Sequence, residues 1–224
     1  MLRSISRDEQ ALINTINSNL PAANSYVVNL VTEARKIAKK YLSNKSRKYD
    51  AVDNIYLHSL RVAVDASKYA VDVSEYPNYK FYLVIIALLH DVIEDADCPE
   101  LRKELNLFRN DKGNPVLDGI LALTNDEEKI SKIGRSKYMS TKFNDLTKGD
   151  KDIMAIKLMD RIDNLACIQL LDNEDREQAL FIRSYLLESL VIYNNLCIND
   201  YAVPNELYSY YNELVTMLLS DFIF

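Results

Sequence analysis

Four glycines and five prolines in 224 residues leave this chain few places to turn. Together they make up about 4% of it, where ordinary usage is roughly 12%. Collagen-like, Pro-rich and propeller architectures spend Gly and Pro at every repeat, so they are excluded. Long helices are what such a composition favours. No stretch sustains the two-residue alternation of a half-buried strand. The expectation is an all-α, single-domain helical bundle of about 8–10 helices spanning 1–224. Its core is placed at about 24–172, with C-terminal helices at 174–222 packed on it.

Apolar residues are 48% of the chain and charged ones 27%, enough for a substantial core and unlike a disordered segment. Lys and Arg number 27 against 33 Asp and Glu, for a net charge of −6. That balance argues against general nucleic-acid binding, which needs a broad positive field. Cys98, Cys167 and Cys197 form no C-x-x-C and cannot all pair in one chain, as expected of a reduced cytoplasmic protein. The longest apolar run, Phe81 to Leu89, is nine residues, too short to cross a bilayer. MLRSISRDEQ contains no apolar signal core. A cytoplasmic location without membrane contact is therefore expected.

The helices can be placed in order. Val27, Val28, Leu30, Val31, Ala34, Ile37, Ala38 and Tyr41 recur at helical spacing over 24–42. Asp53 or Asn54 caps a second helix to about Val73, with Pro77 as a stop. A helix apolar on all sides follows at 79–94, and its composition implies burial. Asp97 and Pro99 start a short helix ending near Asn106, and Val116 to Leu123 form another apolar segment. The stretch 126–147 is polar and mixed. Asp150 caps a helix to about Leu171, and two more occupy 174–197 and 205–222.

The chain has two histidines, His58 and His90. The second lies in LLHDVIEDAD, where the apolar helix delivers His90 and Asp91 to a polar rim. Glu94 and Asp95 stand three and four residues after Asp91, on its face of the helix. Three carboxylates within five residues repel one another unless something cationic holds them. A divalent metal with its water is the economical answer. KLMDRIDNL adds Asp160 with Asn164 four residues on, again an acid and an amide on a core-directed helix. His58, His90, Asp91 and Asp160 make a mixed imidazole and carboxylate set. Such a set suits Mn, Fe, Zn or Co rather than the all-oxygen shells of Ca and Mg.

These residues resemble the HD-domain metal phosphohydrolases, and within them the hydrolase domain of RelA/SpoT homologues, of the small alarmone hydrolase type. The resemblance covers about residues 30–172. It is carried by His58 with its Ser-Leu-Arg-Val-Ala sequel, by HDVIED at 90–95, by LDGILALTN at 117–125, and by KLMDRIDN at 157–164. It implies removal of the 3′-pyrophosphate of the (p)ppGpp alarmone to give GDP or GTP and pyrophosphate, with Mn2+ as the usual metal. It also implies His58, His90, Asp91 and Asp160 as metal ligands, Glu94 and Asp95 as the acidic pair beside the attacking water, and Asn164 as a nucleotide contact. A hydrolase without the family's separate synthetase domain is the expectation. The expected partner is a small nucleotide; a homo-oligomer and pairing with an alarmone synthetase toxin are compatible with it.

Departures from the family pattern fall in the nucleotide-binding wall. No Arg-Lys-Ser-Gly precedes His58, Ser59 replaces the usual proline, and Leu165-Ala166-Cys167 stand where Met-Arg-Thr is common. The substrate's charge requires cations at the mouth, and residues 35–48 contain seven Lys and Arg and no acid. Arg35, Lys36, Lys39 and Lys40 read as a solvated helix face. Arg47 and Lys48, in the loop before His58, are candidate phosphate clamps. Lys157 and Arg161 flank Asp160, with one of the two expected to pair with a structural acid, and Lys137 and Lys142 are candidate lid contacts. Tyr208, Tyr210 and Tyr211 cluster in the last helix, and Cys167 is read as a small core residue. Two other functions share these features: an HD phosphohydrolase acting on NADPH 2′-phosphate or a nucleotide 5′-phosphate, and a non-catalytic alarmone-binding or antitoxin module.

Overall fold

The computed structural model describes residues 6–20, 25–47, 50–69, 79–168, 176–199 and 205–222. The protein is all-α. Among the described residues are twelve α-helices, one 3-10 turn and one two-stranded antiparallel hairpin. The chain divides into two compact units, at Asn125–Asp126.

The first unit begins with α1 (Glu9–Asn19) and α2 (Ser25–Leu42). The hairpin of β1 (Ser46–Arg47) and β2 (Asp50–Asn54) then leads into α3 (Ile55–Tyr69). Asn54 caps α3, its side chain accepting from the Leu57 N–H at 2.9 Å. Residues 70–78, with the expected end of this helix and the Pro77 stop, lie outside the described residues.

The apolar run forms α4 (Tyr79–Leu89), which packs against α2, α3 and α7 (Pro115–Leu123). Phe81, Val84, Ile85, Leu88 and Leu89 are all buried, each contributing about 1.5–3 kcal/mol by leaving water. The expected continuous helix over 79–94 is broken. A turn at His90 and Asp91 separates α4 from the short α5 (Val92–Ala96).

The helix after it, α6 (Pro99–Leu105), is capped by the sulfur of Cys98, which accepts from the Leu101 N–H at 3.4 Å. Asp97, the expected start signal, instead pairs with Arg102 at 2.7 Å. A 3-10 turn (Asn106–Phe108) and the Asn114-capped α7 complete the unit.

The second unit starts with α8 (Glu127–Ile133) and α9 (Arg135–Gly149), divided by Gly134 at φ 82°. That left-handed backbone ends the first helix at little cost only for glycine, so the polar stretch 126–147 is two helices. Asp150 accepts from the Ile153 N–H at 3.1 Å and caps α10 (Lys151–Ile168). The helices α11 (Arg176–Asn199) and α12 (Asn205–Phe222) pack on each other, α11 on α9 and α12 on α10. Tyr211 is buried and donates its hydroxyl to the Ser189 carbonyl at 2.6 Å, which places it in the core of this unit. Cys167 is likewise buried.

No helix among the described residues is long and apolar enough to cross a membrane.

Candidate metal centre

In the first unit, α3 and α4 lie side by side, and each brings one histidine to the same place. His58 stands in the first turn of α3 and His90 where α4 ends, both 2% exposed. Their rings meet edge to face with centroids 5.1 Å apart. One nitrogen of each lies within 4.8 Å of the other. The break after α4 sets Asp91 beside them. Its side chain does not cap α5 but reaches both imidazoles, with Oδ1 3.2 Å from His90 Nε2 and Oδ2 3.6 Å from His58 Nε2.

One ring nitrogen of His90 is assigned by its partner. Its Nδ1 sits 2.8 Å from the Ala87 carbonyl oxygen, which can only accept. Nδ1 therefore carries a proton, and Nε2 is the ring nitrogen turned towards Asp91. This is the arrangement in which a histidine ligates a metal while its second nitrogen is fixed by a backbone carbonyl. An imidazole nitrogen and a carboxylate oxygen 3.2 Å apart are held together by a proton or by a metal cation between them. The group His58, His90, Asp91 fits a divalent metal ion, with nitrogen and oxygen donors of the kind transition metals prefer.

The acid pair lies one helical turn on. Burial, and then the like charges of Asp91 and Glu94, push the Asp95 carboxyl up to about 6. Lys45, just ahead of the hairpin, and His90 oppose that shift, so this lysine is one positive charge that Asp95 feels. Sequence reading passed over it in favour of Arg47 and Lys48, because linear position does not show which lysine of a basic stretch faces an acid on another helix. Glu94 accepts at both oxygens from Asn125, from the main-chain N–H at 2.5 Å and from the side-chain amide at 3.3 Å.

The raised carboxyl has a stability consequence. Asp95 holds its proton more tightly in the folded chain than at the ordinary 3.8. The cost of ionising it is thus absent below about pH 4, grows between about 4 and 6, and is complete above that. Asp95→Asn should raise the Tm of metal-free protein at pH 7.5 by about 2–4 °C, the partial exposure of the group holding the gain to about 1 kcal/mol. At pH 4 the same comparison in EDTA should show no gain, and an equal gain at both values would remove the electrostatic account.

Among the candidate clamps, Arg47 is engaged elsewhere. Its Nε lies 3.7 Å from Asp53 Oδ2, and its side chain is 12% exposed. Asp53 is at the same time held by Arg61 through two bonds, of 3.1 and 2.6 Å, all of it buried. This cluster fastens the hairpin to α3. Lys48 lies outside the described residues. The solvated face expected of α2 is present at Lys36, Lys39 and Lys40, which pair with Glu33, Glu9 and Glu104 in surface ion pairs worth little each, whereas Arg35 is half-buried.

Asp160 belongs to the second unit, on α10, where it is buried. Both its oxygens accept from its own helix: Oδ2 from Lys157 at 2.7 Å and Oδ1 from Asn164 at 2.5 Å. A carboxylate oxygen has two lone pairs and can accept from more than one partner. Of the two flanking cations, Lys157 is the one on Asp160, whereas Arg161 stacks on Tyr185, 4.1 Å from the ring centroid, and pairs with Glu188 at 3.6 Å. Lys137 and Lys142 lie on α9, and Lys142 stands 5.8 Å from the Tyr138 ring centroid.

Comparison of the chain with family models, with curated proteins and with solved structures gave no match.

Proposed function

We propose that the protein is a metal-dependent phosphohydrolase, and that its substrate is the (p)ppGpp alarmone, cleaved at the 3′-pyrophosphate to GDP or GTP and pyrophosphate. The observation that carries the class is the meeting of His58, His90 and Asp91 at the break between α4 and α5. An acid pair stands one turn further on. The substrate comes from the resemblance of HDVIED, LDGILALTN and KLMDRIDN to the alarmone hydrolases.

His58, His90 and Asp91 would hold the metal, with Asp160 as the fourth ligand that the resemblance implies, and Mn2+ the expected ion. When bound, such an ion supplies a Lewis acid and lowers the pKa of its water from 15.7 towards about 7. Glu94, gripped at both oxygens by Asn125, orients an attacking water. Asp95, pushed up to about 6, is able to take up and return a proton near neutral pH, a contribution of about 10²–10⁴-fold for a positioned acid or base. Lys45 meets the negative charge of the incoming phosphate. Asn164, Arg161, Lys137 and Lys142 remain the candidate nucleotide contacts of the second unit.

The test is a substrate panel on the purified full chain with Mn2+. Pyrophosphate released from ppGpp is the expected result. Turnover of NADPH or of a nucleotide 5′-phosphate with no release from ppGpp would replace the alarmone by another nucleotide within the same class. A protein that binds no divalent metal and turns over none of these compounds would leave a binding module as the better account.

A further inference from the structure

Glu94 is 31 residues from the group that holds it. The last helical bond of α7 runs from the Thr124 N–H to the Ile120 carbonyl at 2.9 Å. Thr124 then turns to extended backbone, φ −58° and ψ 133°. The next N–H, that of Asn125, has left the helical ladder and points outward. It donates to Glu94 Oε1 at 2.5 Å, and the Asn125 side-chain amide donates to Oε2 at 3.3 Å. Both donors come from one residue and reach one carboxylate.

Without them Glu94 would be poorly fixed. It is an exposed side chain on α5, a helix of five residues, too short to be stable alone. Its neighbours Asp91 and Asp95 carry the same charge, so an untethered Glu94 would swing away from them into solvent. The paired donation from Asn125 overrides that repulsion and keeps the carboxylate beside Asp95.

We infer that Asn125 is a positioning residue for hydrolysis: it acts through Glu94, fixing the carboxylate that orients the attacking water, and does not itself touch substrate. This role rests on the metal-hydrolase reading above. The side-chain amide is the removable half of the clamp, because the main-chain N–H survives any substitution. Misplacing a catalytic group by about 1 Å costs on the order of 10²-fold.

The experiment is a double-mutant cycle on the full chain with Asn125→Ala and Glu94→Gln, read by kcat, KM, Mn2+ affinity and Tm. Asn125→Ala should lower kcat by about 10- to 100-fold with KM, Mn2+ affinity and Tm unchanged, and should cost nothing further in the Glu94→Gln background. A second readout needs no turnover. In metal-free protein the Asn125 main-chain amide proton, bonded to a carboxylate, should move upfield in Glu94→Gln. Equal losses from Asn125→Ala in both backgrounds, a fall in Tm that accounts for the lost activity, or an unmoved amide proton would each overturn the role. If Glu94→Gln removes activity while Asn125→Ala does not, the inference fails and the hydrolase stands. If the wild-type protein turns over nothing in the panel, both fall together.

Discussion

Asp91→Asn is expected to leave a folded protein that binds Mn2+ weakly and hydrolyses its substrate at least about 10³-fold more slowly. The size follows from the several kcal/mol that a Lewis-acid metal supplies to the transition state, at 1.36 kcal/mol per factor of ten. The substitution is close to isosteric, and Asp91 is not the side-chain cap of α5, so the helix has no reason to unwind. What goes is the charge that faces His58 and His90 at 3.6 and 3.2 Å. Circular dichroism, metal content and turnover read the three parts separately. A folded Asp91→Asn protein with full activity would end the metal reading. His90→Ala should behave alike in metal content, at a further cost in stability from the cavity left by a buried ring. Asp160→Asn then asks the question that concerns the second unit: as a ligand, its loss weakens Mn2+ binding, and as a partner of Lys157 and Asn164 alone, its loss leaves the metal in place.

The second large effect lies away from the chemistry. Asp53→Ala should destabilise the protein by about 3–5 kcal/mol, because it removes the carboxylate bonded twice to a buried guanidinium. Arg61 and Asp53 are each 1% exposed and joined by two bonds. Arg61 also donates to the Ser6 carbonyl at 3.2 Å, a neutral group that does not replace a carboxylate. Chemical denaturation of Asp53→Ala against wild type measures it. The paired replacement of Asp53 and Arg61 by apolar residues of similar volume should cost much less, since neither charge is then left alone. A small loss in the single variant would mean that water reaches the pair on local opening.

The helical class was legible from the Gly and Pro scarcity and from spacing, and several starts were legible from caps. Asn54 and Asp150 sit where a side-chain oxygen is needed, and both are bonded as expected. Three features were not legible. The helix α1 is missing from the sequence reading because only Leu12, Ile13 and Ile16 of it are buried, too few to print a stripe. The hairpin escaped because β1 has two residues and β2 five, too few for alternation to show. The break at His90 and Asp91 carries no Gly or Pro and interrupts a run that is apolar on either side. It is visible only once α5 turns away.

At the site, the identities of His58, His90, Asp91 and the acid pair were readable, because few residue types can ligate a metal and the chain spends only two histidines. Their supports were not. Asn125 reaches Glu94 from 31 residues away, the charge of Lys45 is felt at Asp95 on another element, and the engagement of Arg47 depends on Asp53 being buried beneath it. A basic residue in a sequence has a charge but no address. Only folding decides whether that charge is taken up by a neighbour or offered to a ligand.

The turn after α4 makes the aim of the His90–Asp91 pair a matter of counting. Each residue of a helix advances it by 1.5 Å and rotates it by about 100°. The eleven residues from Tyr79 to Leu89 therefore act as a ruler whose last mark is the pair. Exchanging one aliphatic side chain for another along that ruler leaves the mark where it was, whereas inserting or deleting a single residue swings it off target. This segment can bear a change of letter but not of spacing.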